Sequence, residues 1–202
     1  MKDFQNLFNA LSSLRVGVIG DLMLDTYMWG KVDRISPEAP VPIVTLDHKE
    51  YRIGGAGNVA LNCRSLGAEV SVLSVTGHDD NAVILEKLLQ ENHIGTSYLL
   101  KSSSRITTNK TRIISRNQQM MRLDAEITKD LNEESEKALL DKVKNYIAAA
   151  KPAIIIFEDY NKGVLTERVI SEVVTHCKKS GILTAVDPKR KNFFAYKGVD
   201  IF

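Results

Sequence analysis

The sequence predicts an α/β fold in which a mainly parallel sheet is flanked by helices and a small antiparallel sheet stands apart from it. Three observations predict it. From Arg15 onward, short β-branched runs alternate with longer stretches of helical period, the pattern of a parallel sheet covered by helices. Gly67 and Gly181 follow two of the helical stretches, where a left-handed C-terminal cap belongs. Residues 27–53 and 107–124 instead alternate polar and apolar side chains without helical period, as antiparallel strands outside the main sheet do.

Residues 15–19 form the first strand. Ala56, Val59, Ala60, Cys63 and Leu66 recur at helical spacing up to Gly67, and residues 70–75 are the second strand. Asp79 or Asp80 caps a helix through Val83, Ile84 and Leu88; a further helix starts near Asn132 and carries Leu139, Val143 and Ile147 on one face. Residues 153–157 are apolar and end at Glu158-Asp159. That run is a buried strand, far short of the roughly 18 apolar residues that span a bilayer. Thr166 with Glu167 opens a helix through Val169, Ile170, Val173 and Cys177, Gly181 closes it, and residues 183–186 return to the sheet. Right-handed crossovers are expected between the parallel strands. Residues 198–202 begin another strand without the helix that should cover it, so 1–202 reads as the N-terminal portion of one domain, with the C-terminal part of the fold absent.

With 44% hydrophobic residues among 202, the chain can bury a sizeable core. Lysine and arginine total 27 against 25 acidic residues, a balance with no long-range field suited to nucleic acid or an anionic membrane. The cluster Lys189-Arg190-Lys191 with Lys178-Lys179 lacks interleaved aromatics and reads as a solvated face. The N-terminal residues, Met1 to Asn6, carry an early acid and no apolar run, unlike a secretory signal. Cys63 and Cys177 fall on apolar helix faces, as free thiols in a reducing cytoplasm do. The four histidines are scattered, and no metal ligand set is inferred.

The strongest local feature is Arg52-Ile53-Gly54-Gly55-Ala56-Gly57-Asn58. A glycine run leading into a helix lets backbone approach a ligand and presents unpaired N–H groups with partial positive charge. It also reads as a tight turn needing positive φ, and the two readings stand together here. Asp21 and Asp25 lie just beyond the first strand, at the edge where open α/β sheets bind ligands. Either grips hydroxyls or caps a turn. In Asp33-Arg34-Ile35-Ser36-Pro37-Glu38-Ala39-Pro40 the prolines stiffen the surroundings of Arg34, a bidentate phosphate partner or a solvated charge. Asp159 and Lys162, then Asp187 and Lys189, follow two successive buried strands and read either as a hydroxyl or phosphate site or as caps beside solvated lysines.

Taken in order, Gly20-Asp21-Leu22-Met23-Leu24-Asp25, Arg34-Ile35-Ser36-Pro37-Glu38-Ala39-Pro40-Val41-Pro42, Gly54-Gly55-Ala56-Gly57-Asn58, Ser115-Arg116-Asn117-Gln118-Gln119, Arg122-Leu123-Asp124, Asp159-Tyr160-Asn161-Lys162-Gly163 and Asp187-Pro188-Lys189 resemble the ribokinase-like (PfkB-type) carbohydrate kinases, and within them the bacterial D-glycero-β-D-manno-heptose 7-phosphate kinases. The resemblance implies a ribokinase-like fold in which the small sheet is a lid over the sugar. It implies ATP- and Mg2+-dependent phosphorylation of the anomeric hydroxyl, on the route to ADP-heptose and lipopolysaccharide core. By similarity Asp25, Asn58 and the amides of Gly54 and Gly55 hold sugar hydroxyls. Arg34, Lys110, Arg112 and Arg116 are the lid candidates for the 7-phosphate, strand register deciding which point inward. Asp159, Lys162, Asp187 and Lys189 line the boundary between sugar and ATP, and a homodimer through the lid is expected. The family's Asn-x-x-Glu element and its Gly-Ala-Gly-Asp element, which carries the general base, do not occur in these residues. No catalytic residue is therefore assigned, and the 202 residues alone are expected to be inactive. Two other readings are a different ribokinase-like sugar or nucleoside kinase and a non-catalytic sugar-phosphate-binding or dimerisation module; the lid cations favour a phosphorylated ligand over a nucleoside.

Overall fold

A computed structural model describes residues 2–202; Met1, the first residue of the segment read as lacking a secretory signal, lies outside them. The elements in chain order are α1 (Lys2–Leu11), β1 (Arg15–Gly20), β2 (Leu22–Ile35), β3 (Pro42–Gly55), α2 (Ala56–Ser65), β4 (Glu69–Gly77) and α3 (Asp80–Glu91). They continue with β5 (Leu99–Ser102), β6 (Asn109–Ser115), β7 (Gln118–Ala125), α4 (Glu133–Ala150), β8 (Ile154–Glu158), α5 (Glu167–Lys179), β9 (Leu183–Asp187) and a 3-10 helix at Arg190–Ala195. Asp79, Asn132 and Thr166 cap α3, α4 and α5 by accepting from the amides of Ala82, Ser135 and Val169, which satisfies donors that the first turn leaves unpaired. Among the described residues no helix is long and apolar enough to cross a membrane.

The main sheet has the order β5-β4-β1-β8-β9, with every neighbouring pair parallel. Its two faces are sorted by the two-residue period of a strand. Val16 and Val18 of β1 with Val70 and Val72 of β4 pack under α2 and α3, against Ala60, Leu85 and Leu89. Ile19, Leu73, Ile155 and Phe157 face the other way and pack under α4 and α5, against Leu139, Val143, Ile170 and Val173. The result is a helix–sheet–helix sandwich, which leaves the carboxyl ends of β1, β8 and β9 as one open edge.

The small sheet has the order β3-β2-β6-β7. Its outer pairs, β2–β3 and β6–β7, are antiparallel, but the central β2–β6 pair is parallel. This mixed pairing differs from the all-antiparallel sheet expected, because β6 enters from the main domain beside β2 and runs in the same direction. Only Asp21 separates β1 from β2, so the chain leaves one sheet and enters the other in a single residue. The sheet's strands also start earlier than expected, at Leu22 rather than residue 27.

Three elements have no counterpart in the sequence reading, α1, the short edge strand β5 and the 3-10 helix at Arg190–Ala195. The strand expected over 198–202 is reduced to one bridge, Ala185 with Ile201. Asp200 helps hold that bridge, accepting from the amide and hydroxyl of Thr184 at 2.8 and 2.7 Å.

Candidate functional site

Antiparallel pairing of β2 with β3 sets Asp25 opposite Arg52 and Met23 opposite Gly54. A Cβ on Gly54 would lie 2.5 Å from Asp25 Oδ2, so glycine there makes the space that the carboxylate occupies. Gly55 adopts φ 58 and ψ −136, a region essentially closed to residues with a Cβ. A Cβ on it would also meet the Asp21 carbonyl oxygen at 2.3 Å. The turn reading holds at Gly55, which needs its positive φ, and Gly54 makes room for the Asp25 carboxylate. No side chain caps the start of α2; the Ala56 amide donates to the Asp21 carbonyl at 3.0 Å, and the amides after it lie beside the exposed Asn58.

The small sheet supplies the rest of the cleft, about 460 Å³, by register. Because β2 and β6 pair Asp25 with Lys110 and Tyr27 with Arg112, those four side chains share one face. The β6–β7 pairing adds Asp124 beside Lys110 and Arg122 beside Arg112. Arg112 Nη1 donates to Asp25 Oδ1 at 2.5 Å. Lys110 lies between Asp124 at 3.1 Å and Glu126 at 3.6 Å, and Arg122 grips Asp124 through Nε and Nη2 at 2.8 and 3.0 Å. Arg122, with Lys110, holds the Asp124 carboxyl below the usual carboxylate range. Tyr160, from the loop after β8, closes the inner end of the cleft.

Of the residues expected at this site, Asp25, Gly54, Gly55, Asn58, Lys110 and Arg112 come together. Lys162 reaches it indirectly, through Glu126 at 2.8 Å, the same carboxylate that neighbours Lys110. Asp187 ends β9 beside Glu158, and the Lys189 ammonium lies 5.1 Å from the centre of the Tyr160 ring; both therefore border the inner end. Three expectations need correction. Arg34 is exposed near the far end of the β2–β3 hairpin, opposite Ile43. That is roughly 30 Å beyond Asp25, at about 3.3 Å per strand residue. Arg116 sits at φ 50 in the two-residue β6–β7 turn with Asn117 at φ 63, a tight hairpin at the sheet's distal end. Asp159 is 1% exposed and accepts from the Asn161 amide, Asn192 Nδ2 and Tyr196 hydroxyl at 2.8, 2.9 and 2.8 Å. A carboxylate so buried and saturated holds the loop, not a ligand.

Asp21 is likewise structural. It is 1% exposed and accepts from the amides of Tyr160, Lys162 and Val164 at 2.9, 3.0 and 3.2 Å. The sequence reading missed Tyr27, Arg52, Arg122 and Tyr160 as cleft residues. Arg52 was findable, because it alternates with Gly54 and so must share its face; Arg122 required the β6–β7 register. It also missed Glu158, 6% exposed at the end of β8.

Burial, then the charge of Asp187, pushes the Glu158 carboxyl from 4.5 up to about 7, with Lys189 opposing. The folded protein therefore keeps a proton that the unfolded chain releases, and stability is lost as pH rises from about 4.5 through about 7. Glu158→Gln, which stays neutral, is expected to melt above the wild type near pH 8 and to match it near pH 4. Thermal melts at the two pH values check this; a difference independent of pH would contradict it.

A family model described as pfkB family carbohydrate kinase matches residues 13–199. Bifunctional protein HldE of Citrifermentans bemidjiense is 41% identical over 202 residues, covering 99% of this chain and 41% of the relative. The HldE protein of Aliarcobacter butzleri is 44% identical over 181 residues, covering 90% of this chain and 38% of the relative. This chain thus spans about two fifths of the length of these curated relatives. Among solved structures, a carbohydrate kinase from Agrobacterium tumefaciens matches with TM-score 0.65 at 15% identity, over 94% of this chain and 60% of that one. Arabidopsis thaliana ribokinase complexed with ribose and ATP matches with TM-score 0.60 at 13% identity, over 87% of this chain and 53% of that one. These structural matches carry the fold alone.

Proposed function

Since this chain belongs to the pfkB family of carbohydrate kinases, we propose that its cleft is the sugar site of an enzyme that phosphorylates D-glycero-β-D-manno-heptose 7-phosphate at the anomeric hydroxyl. The product is the 1,7-bisphosphate, on the route to ADP-heptose for lipopolysaccharide core, made in the cytoplasm. The observation that carries this reading is one face on which Asp25 adjoins the glycine-opened start of α2 while Arg52, Lys110, Arg112 and Arg122 stand alongside. A carboxylate and free helix amides suit sugar hydroxyls, and guanidinium groups suit a phosphate. A nucleoside offers nothing for those cations to meet.

ATP with Mg2+ supplies the transferred phosphoryl group when bound. Among the described residues no group of three or more metal-ligating side chains comes together, so no metal ligand set is assigned. We assign Lys189, at the inner end beside Tyr160, to a phosphate of ATP, with Asp187 at the same boundary. The role of the small sheet is to cover the sugar and exclude water, since a solvent-exposed ATP would lose its phosphate to water. Asp25 and Asn58 orient the acceptor; no residue among these 202 is assigned to remove its proton. A second copy is proposed to pair with the small sheet, whose edge strand β7 is exposed along its whole length.

Calorimetry of the 202-residue chain with heptose 7-phosphate, heptose and adenosine, run beside a coupled kinase assay, tests this. Binding of the sugar phosphate in preference to the other two, without turnover, is expected. Preference for adenosine would replace the reading with a nucleoside kinase, and turnover would contradict the assignment of no catalytic base to these residues.

A further inference from the structure

Glu158 is a titratable group that the fold buries without giving it a partner. It ends β8 and is 6% exposed. Its backbone carbonyl accepts from the Asp21 amide, but among the described residues nothing donates a hydrogen bond to its carboxyl. The other two buried carboxyls at this edge of the sheet, Asp21 and Asp159, are each met by three donors, as buried polar groups ordinarily are. Strand period sets Glu158 with Ile154 and Ile156 on the face toward α2, the side of the sheet on which the glycine run enters its helix.

Register decides what surrounds it. β8 and β9 are parallel and pair Glu158 with Asp187, so the two carboxyls leave adjacent strands, about 4.8 Å apart, on the same face. Gly20 of β1, its partner on the other side, brings no side chain. Lys189 follows Asp187 by two residues, with its ammonium 5.1 Å from the centre of the Tyr160 ring. Burial, and after it the Glu158 charge, raises the Cys63 thiol of α2 and the Tyr160 hydroxyl, and burial raises that of Tyr196. Those three are neutral near pH 7, which leaves Glu158, Asp187 and Lys189 as the charges that act on one another. With both carboxyls ionised the group carries one net negative charge; with Glu158 protonated it carries none. Only the second state lets an anion approach Lys189 without net repulsion.

We propose that Glu158 meets a phosphate group of ATP in its protonated form, donating its O–H to a phosphate oxygen that Lys189 also holds, so that phosphate binding at the inner end of the cleft takes up one proton from solvent. This rests on the reading of that end as the ATP side of a sugar kinase and deepens it. No covalent bond of the ligand changes: the carboxylate and a solvent proton become a carboxylic acid, which the ligand then covers. An O–H donating to an anionic oxygen makes a stronger bond than a neutral pair does. Linkage makes the effect reciprocal, so the proton favours the anion as much as the anion favours the proton. Because the unliganded carboxyl titrates at about 7, affinity for phosphate is level below that pH and falls above it by about tenfold per pH unit.

The test is calorimetric titration of the 202-residue chain with Mg2+-free ATP in pairs of buffers that differ in ionisation enthalpy, which counts the protons taken up. At pH 8, where ATP itself no longer titrates, the wild type is expected to take up about one proton more than Glu158→Gln and to bind about tenfold more weakly, since the glutamine donates without first being protonated. At pH 6 the two should agree within about twofold in affinity and closely in proton count. Asp187→Asn, with one negative charge fewer, is expected to bind ATP more tightly than the wild type at pH 8, and Lys189→Gln more weakly at both pH values. Each variant is titrated well below its melting temperature, and the rise in the wild type's proton uptake from pH 6 to pH 8 needs no variant. Equal proton counts for wild type and Glu158→Gln at pH 8, or a loss of affinity in Glu158→Gln that is the same at both pH values, overturns the proton coupling and leaves the inner end as the ATP side. A wild type that binds heptose 7-phosphate but not ATP at either pH overturns the assignment of Lys189 to a phosphate, and the coupling with it, while the sugar site stands.

Discussion

Asp21→Ala is expected to destabilise the fold by about 3–5 kcal/mol, because it strands one buried and two part-buried amides at once, each worth about 1–3 kcal/mol when unpaired, less whatever water recovers. Asp21 is the single residue between the two sheets, and its carboxylate gathers the amides of Tyr160, Lys162 and Val164 into the loop that follows β8. That loop positions Tyr160 at the inner end of the cleft and Lys162 on Glu126. Urea melts at neutral pH measure the loss. Amide hydrogen exchange at Tyr160, Lys162 and Val164 should accelerate more than at core strand positions such as Val18, locating the damage. Asp21→Asn keeps one acceptor oxygen and should fall between. A destabilisation below about 1 kcal/mol for Asp21→Ala would mean that the loop holds itself without this clamp.

Asp25→Ala is expected to weaken sugar binding by at least about 100-fold, because a site built to pair with hydroxyls loses its charged acceptor and Arg112 loses its carboxylate partner. Stability should change little, since the side chain lines an open cleft and, among the described residues, its hydrogen bond is to Arg112 alone. Gly54→Ala should reach the same end by another route. Its new methyl would lie 2.5 Å from Asp25 Oδ2 and 2.9 Å from Met23 Cγ, so the carboxylate must swing out of the cleft. Titration of both variants with heptose 7-phosphate checks this. If Gly54→Ala binds as the wild type does while Asp25→Ala fails, the glycine serves the turn alone.

Much of this architecture was legible in residue order. Period-two and period-3.6 patterns mark β1, α2, β4, α4, β8, α5 and β9, and their ends are signalled by local chemistry that does not depend on the rest of the chain. Thr166 and Asn132 cap wherever a helix follows them, and Gly67 and Gly181 take positive φ at the turns they close. The edge strand β5 carried no such mark, since a four-residue strand offers too short a pattern.

What the sequence by itself determined, then, was the sandwich, the resemblance to carbohydrate kinases, and the glycine run that meets a carboxylate at Asp25, Gly54, Gly55 and Asn58. These depend on interactions within a few residues of one another and on side-chain alternation. Only the tertiary structure decided which charges serve the cleft. It placed Arg52 and Arg122 beside Lys110 and Arg112, sent Arg34 and Arg116 to the distal end of the small sheet, and buried Asp21 and Asp159 as loop clamps. The physical reason is register: a side chain's face in a sheet follows from which partner residue it lies against, and a shift of one residue reverses it. In this small sheet that choice was made by the parallel β2–β6 pairing, a contact between residues more than eighty positions apart.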